Sequence, residues 1–230
     1  MHPWYVDIMT NRNHLTDAQL KAAVTEELGW LPYLNSAKIG VAVNDGAVML
    51  SGEVDSYPEK LHAEKAALRV RGVTAIAEEL TVRGKWQGAG DADIAREATQ
   101  ALDRAVNVPE GAVTATVHDH VITLSGHVPW QYQREAAGRA VRYLKGVTNI
   151  HNTITIKPTV SAAGVKASIN AALVRSAQLE SSHITVKDDT QGVVRLEGTV
   201  RSWAERQAAQ DAAWFAPGVT DVVNDLLVRN

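Results

Sequence analysis

The residues best equipped for chemistry gather in the middle of this chain. His118 and His120 flank Asp119, with His127 farther along, and imidazole is a common metal ligand and proton carrier. The spacing leaves out a fourth ligand, so no metal site is assigned and solvated turn residues are the simpler reading. Six tryptophans stand against one phenylalanine. Trp130, with Tyr132 beside it, and Trp203 could form an exposed aromatic edge for lipid headgroups or a partner protein, or pack over helix starts and between neighbouring units. Arg134, Arg139, Arg142 and Lys145 give one helix a basic surface able to meet anionic lipid, although Glu135 among them also fits an ordinary solvated face. Catalysis has little support. There is no Gly-rich phosphate loop, nucleophile elbow or paired metal-ligand helix motif, and no catalytic residue or cofactor is assigned.

What positions these residues is a frame built three times. Leu50-Ser51-Gly52 is followed by Gly72-Val73, Leu124-Ser125-Gly126 by Gly146-Val147, and Leu196-Glu197-Gly198 by Gly218-Val219. In each case the second glycine stands 20 residues after the first, and the leading glycines lie 74 and then 72 residues apart. A fixed inner distance inside a repeating unit marks a tandem array. Each unit is near the lower size limit for independent folding, so contact between units is expected.

Within a unit, helical spacing comes first: Leu20, Val24, Leu28 and Leu31, then Ala95, Ala98, Leu102 and Ala105, then Val165, Ile169 and Leu173. Thr16 and Asp91 are placed to cap the first two helices, and Ser161 or Ser168 opens the third. Paired strands follow at Ile39–Val43 with Val48–Val54, Val113–Val117 with Val121–Val128, and Ile184–Lys187 with Val193–Val200. Asn44-Asp45-Gly46 is a hairpin turn, matched by His118-Asp119-His120 and by the longer run from Asp188 to Gly192.

A second helix opens with capping boxes at Ser56-x-x-Glu59 and Ser202-x-x-Glu205, and the matching position in the middle unit is Trp130, whose indole cannot accept the amide hydrogen. Small residues line its buried face: Ala63, Ala67 and Val70; Ala137, Val141 and Leu144; Ala209, Ala213 and Ala216. Gly72, Gly146 and Gly218 are expected to end it as left-handed caps, before closing strands at Val73–Val82, Val147–Ile156 and Val219–Val228. The predicted fold class is α+β: three tandem small domains, each helix-strand-strand-helix-strand, with a three-stranded mixed sheet covered by two helices. The boundaries are a tail at 1–14, domains at 15–83, 91–157 and 165–230, and linkers at 84–90 and 158–164.

Charge and composition narrow the partners. With 23 Lys and Arg against 26 Asp and Glu the formal charge is −3, so nucleic acid is not an expected partner. No cysteine is present, which excludes disulfides and thiolate catalysis. The opening residues lack a basic, apolar signal pattern whether translation starts at Met1 or Met9, and no run of about 18 apolar residues occurs, so a cytoplasmic, soluble protein is expected.

The order and spacing of these motifs resemble the BON domain, present in three copies. The resemblance rests on Val48–Val54, Ile122–Val128 and Val194–Val200, on the alanine-bearing helix and the Gly-Val junction, and on the closing Asn152-Thr153-Ile154-Thr155-Ile156 and Asn224-Asp225-Leu226-Leu227-Val228. Glu78 replaces the asparagine in the first unit, which weakens any role for that side chain there. The resemblance implies a non-enzymatic binding module of osmotic and envelope stress, associated in exported relatives with phospholipid, and a periplasmic alternative for location. It also implies a monovalent cation, potassium, as an alternative ligand. The leading expectation is weak multivalent contact with anionic phospholipid or an envelope-associated protein. The third reading is a structural or self-associating module.

Overall fold

The computed structural model describes residues 15–83, 90–157, 164–175, 183–188 and 192–229. The tail 1–14, nearly all of both expected linkers, Ser161 and the hairpin residues 189–191 lie outside them.

Each unit repeats one plan. In the first, α1 (Asp17–Gly29) precedes the antiparallel pair β1 (Ile39–Asn44) and β2 (Ala47–Val54), then α2 (Tyr57–Arg69) and β3 (Ala75–Val82). The second has α3 (Asp91–Asp103), β4 (Val113–His118), β5 (Val121–Val128), α4 (Gln131–Val141) and a closing strand split into β6 (Asn149–Asn152) and β7 (Thr155–Ile156). The third has α5 (Val165–Arg175), β8 (Ile184–Asp188), β9 (Val193–Val200), α6 (Trp203–Trp214) and β10 (Asp221–Val228). The middle strand pairs antiparallel with the first and parallel with the last, so α2, α4 and α6 are crossover helices over mixed three-stranded sheets.

The periodicities explain the layers. Leu20, Val24 and Leu28 recur every four residues and are buried, as are Val165, Ile169 and Leu173. In α3 the face turns by one residue from the expected one: Ile94, rather than Ala95, joins Ala98 and Leu102 in the core. On the crossover helices the alanines meet the sheet, with Ala63, Ala137, Ala209 and Ala213 fully buried. Small side chains let the helix axis come close, while full burial of Val48, Leu50, Ile122 and Leu124 beneath contributes about 1.5–3 kcal/mol each.

The Leu-x-Gly glycine is required by the backbone. Gly52, Gly126 and Gly198 have φ of +122°, +136° and +128°, and a Cβ on them would sit 2.1, 2.1 and 1.9 Å from the carbonyl oxygens of Lys38, Ala112 and His183. No L side chain fits at that distance. The later glycines do not cap the helices as expected. Helices α2, α4 and α6 stop at Arg69, Val141 and Trp214, before Gly72, Gly146 and Gly218, whose positive φ instead serves the turn into the closing strand.

Caps differ from expectation in an informative way. Thr16 accepts from the Gln19 amide as predicted, but Asp91 is the first helical residue and Gly90 occupies the cap. The Asp91 carboxylate accepts from the amides of Asp119 (2.9 Å) and His120 (3.0 Å), clamping the hairpin tip. Asp17 does the same for Asp45 (2.9 Å) and Gly46 (3.2 Å). Ser168 lies inside α5 and does not open it. Ser56 and Ser202 cap α2 and α6, with Glu59 and Glu205 reaching one residue farther back, to the amides of Asp55 and Arg201. At Trp130 the missing side-chain cap costs about 0.5–2 kcal/mol. Gln133 partly offsets it by accepting the Trp130 amide hydrogen at 3.2 Å.

Candidate binding cleft between the three units

The first residue of each crossover helix follows a cap, where the chain turns outward from its own sheet. In the first unit that residue is Tyr57, and its ring belongs to the core of the second unit, with Leu61 one turn on packed against the same cluster. In the third it is Trp203, which packs against the core of the first unit while its indole N–H donates to the Val73 carbonyl at 3.0 Å. The Arg206 guanidinium lies over this ring, 4.9 Å from its centroid. Burial raises the Tyr57 hydroxyl above its usual pKa, against a smaller lowering by the Arg142 charge. Two units thus seat an aromatic side chain in a neighbour. The middle unit has Gln131 at this station, and its Oε1 is buried without a hydrogen-bond partner.

Docking leaves a cleft of about 1600 Å³ lined from all three units, chiefly by the crossover helices and the turns around them. Its charged lining is Lys65, Arg69 and Arg71 from the first unit, Arg139 and Arg142 from the second, and Arg201 from the third, against Glu64, Glu135 and Asp211. Burial pushes the Glu64 carboxyl up, with the neighbouring Glu78 charge adding to it.

The sequence-predicted residues scatter across this architecture. Tyr132 is exposed, Trp130 is half-buried, and Trp203 takes the other of its two readings, packing at the seam between the third and first units. The basic residues of the stretch 134–145 do not share one solvated face either. Arg134 donates to the Asn152 carbonyl at 3.4 Å, Arg139 pairs with Glu135 at 3.3 Å, Arg142 is half-buried in the cleft, and Lys145 is exposed. Helix α4 ends at Val141, so Arg142 is its cap and Lys145 stands in the turn beyond, and the four do not project from one helical face.

The histidines serve the fold in three different ways. His118 contacts Asp119 at 3.1 Å on an open tip, His120 Nδ1 lies 2.9 Å from the Gly146 carbonyl, and His127 meets the Thr155 hydroxyl. Among the described residues, no group of three or more His, Asp or Glu side chains stands together as metal ligands.

Glu78 keeps the role that its replacement of asparagine put in doubt. Asn152 donates to the Arg134 carbonyl at 2.9 Å and accepts from the Ile154 amide, and Asn224 donates to the Arg206 carbonyl at 3.2 Å and accepts from the Leu226 amide. Each ties crossover helix to closing strand. In the first unit Glu78 accepts from the Leu80 amide and forms an ion pair with Lys60 at 2.9 Å, and Lys60 also donates to the Leu80 carbonyl at 3.2 Å. The asparagine-arginine pair has become a glutamate-lysine pair in the same place. Sequence reading missed this tie because its signal was a paired change on two elements, visible only if Lys60 is compared with Arg134 and Arg206.

Comparison with known proteins agrees with the repeat. Residues 16–84, 90–158 and 161–230 match the model of the BON domain family. The chain is 31% identical over 159 residues to Osmotically-inducible protein Y of Escherichia coli (strain K12), a match covering 66% of this chain and 79% of that relative. Two solved structures of CdsD, a structural protein of the type III secretion system of Chlamydia trachomatis, are 15% identical to it. One, of the C-terminal domain, covers 94% of this chain and 100% of that one, and the other covers 90% and 91%. Both have a TM-score of 0.25, at which the likeness carries no argument. With three matches spanning nearly its whole length, the chain belongs to the BON domain family.

Proposed function

We propose that this chain is a non-enzymatic binding protein of osmotic or envelope stress physiology whose docked units make weak, multivalent contact with anionic phospholipid. One observation carries the reading. In a chain of charge −3, the stretch 131–145 leaves Arg139 and Lys145 exposed together with the rings of Tyr132 and Tyr143, while Arg134 and Arg142 are half-buried. Tyrosine is suited to a headgroup layer because one side of it is apolar and its hydroxyl is wet. Basic residues near an anionic surface each contribute about 1 kcal/mol, which is weak singly and useful when summed. The similarity to an osmotically inducible relative supplies the physiological setting. Among the described residues no helix is long and apolar enough to cross a membrane, so contact would be at the surface.

Sedimentation of the full chain with phosphatidylglycerol-containing and neutral vesicles at two ionic strengths tests this. Salt-sensitive binding to the anionic vesicles, weakened in Lys145→Gln and Tyr143→Ala, is expected. Absence of binding at low salt would reject lipid recognition and turn attention to an acidic envelope protein.

A further inference from the structure

We infer that the cleft between the three units, which shares Arg139 and Arg142 with the stretch assigned to lipid contact, is a site for a compact soluble polyanion bearing several phosphate groups. Six cations line it against three carboxylates, in a chain whose overall charge is −3. Positive charge is gathered in a cleft that residues of all three units line. Arg69 is already answered by Glu27 at 2.8 Å and Arg139 by Glu135 at 3.3 Å. Lys65, Arg71 and Arg142 make no ion pair among the described residues, and they come from two different units.

The field of these unpaired charges reaches neighbouring groups. His62 on α2 is held below its usual pKa first by burial and then by the Lys65 and Arg142 charges. Holding such cations together is unfavourable until an anion arrives between them.

Size and stiffness specify the ligand further. At about 1600 Å³ the cleft exceeds the roughly 300–1,000 Å³ of usual small-molecule sites, so it has room for a ligand larger than one orthophosphate. Arginine forks bind phosphate oxygens in pairs, so guanidinium groups on separate units favour a ligand with several phosphates over a point charge. The walls are set in advance. Trp203 is fixed by its bond to the Val73 carbonyl and covered by Arg206, and Tyr57 is seated in the second unit's core. A preorganised site loses less entropy on binding. Because its cations belong to different units, an occupant would also tie the units together and raise their joint stability.

Titration calorimetry and thermal melting of the full chain with tripolyphosphate and with orthophosphate test the proposal. Tripolyphosphate should bind more tightly than orthophosphate, lose affinity with salt and raise the melting temperature. Arg71→Gln with Arg142→Gln should weaken it by at least about tenfold, and Lys145→Gln should leave it unchanged. If the double variant loses its fold by circular dichroism, Lys65→Gln at an exposed position should still weaken binding about threefold, roughly half the free energy of a tenfold loss.

No tripolyphosphate binding at low salt overturns the proposal, as does an unchanged affinity in the cleft variants. Phosphatidylglycerol vesicles distinguish the source of phosphate. Vesicle binding abolished by the cleft substitutions, without tripolyphosphate binding, makes this a headgroup site and overturns the soluble ligand. Tripolyphosphate binding without vesicle binding supports the cleft and rejects the membrane reading alone.

Discussion

The first and second units place the same elements in the same order, yet they hold their closing strands by different chemistry. In the second, Asn152 and Arg134 exchange bonds with each other's backbone. In the first, Glu78 and Lys60 occupy those stations and form a partly buried ion pair. Their hairpins differ similarly: Gly46 tips the first and His120 the second, and an aspartate at the start of the preceding helix clamps both. Their outward residues diverge most, with Tyr57 seated in a neighbour and Gln131 left with a buried, unpartnered oxygen. Gly52 and Gly126, where a Cβ has no room, are identical, positions that supply a bond keep its geometry, and positions that face another unit are free to change.

Breaking the shared part should have the largest effect. Gly126→Ala puts a Cβ against the Ala112 oxygen and is expected to cost about 3 kcal/mol or more, read by urea denaturation. Gly111→Ala also has positive φ but open space around it, and should cost only about 1 kcal/mol. Equal losses at the two sites would mean that dihedral strain alone, without the close approach, explains the repeated glycine.

Removing an outward residue comes next. Tyr57→Ala should destabilise by about 3 kcal/mol and separate the melting of the first and second units, because it empties a place in the second unit's core. Calorimetry showing one unchanged transition would rule out this coupling. Converting Gln131 to Leu removes an unsatisfied buried oxygen and should stabilise by about 1 kcal/mol, despite losing the bond from its Nε2 to Glu135.

The tie between helix and strand allows a finer comparison. Glu78→Gln should cost about 1 kcal/mol by removing the charge facing Lys60, and Glu78→Asn combined with Lys60→Arg should recover most of what either change loses alone. A double-mutant cycle with no coupling would show that the two stations are independent.

The smallest effect is electrostatic. The amide hydrogen bond from His120 holds the Asp91 carboxyl below its ordinary value of 3.8 against the opposing effect of desolvation, with the Asp119 amide and the charged hairpin histidines adding to the lowering. A lowered folded-state pKa means that the clamp's contribution is present above the ordinary value and is lost as pH falls through the folded one. The Asp91 carbon resonance should therefore titrate below 3.8, and exchange of the Asp119 and His120 amides should quicken relative to the unfolded chain in the same interval. Asp91→Asn should abolish that pH dependence.

Much of this fold is local and was readable for that reason. Apolar runs bounded by turn residues marked eight of the ten strands to within a few residues and spanned β6 and β7 as one, and the fourfold spacing of Leu20, Val24 and Leu28 marked a helix face. The split of the closing strand into β6 and β7 had no such marker. The function of Asp91 was misread because a helix-starting aspartate has the same local signature whether it caps its own helix or reaches 28 residues ahead to a hairpin. The cleft was hidden more deeply. Arg71, Arg142 and Arg201 are far apart along the chain and stand in turns just outside the helices and strands, whose patterns describe only their own sheets.

The sequence by itself determined the three units, their order of elements and the glycines they cannot replace, because propensity, periodicity and steric exclusion act over a few residues. Tertiary structure decided which side chains leave their own unit. It seated Tyr57 and Trp203 in neighbours, dispersed the basic residues of the stretch 134–145, and gathered cations from three units around one cleft. Those outcomes depend on how finished surfaces fit together, and a fit between surfaces leaves no period in the chain that forms them.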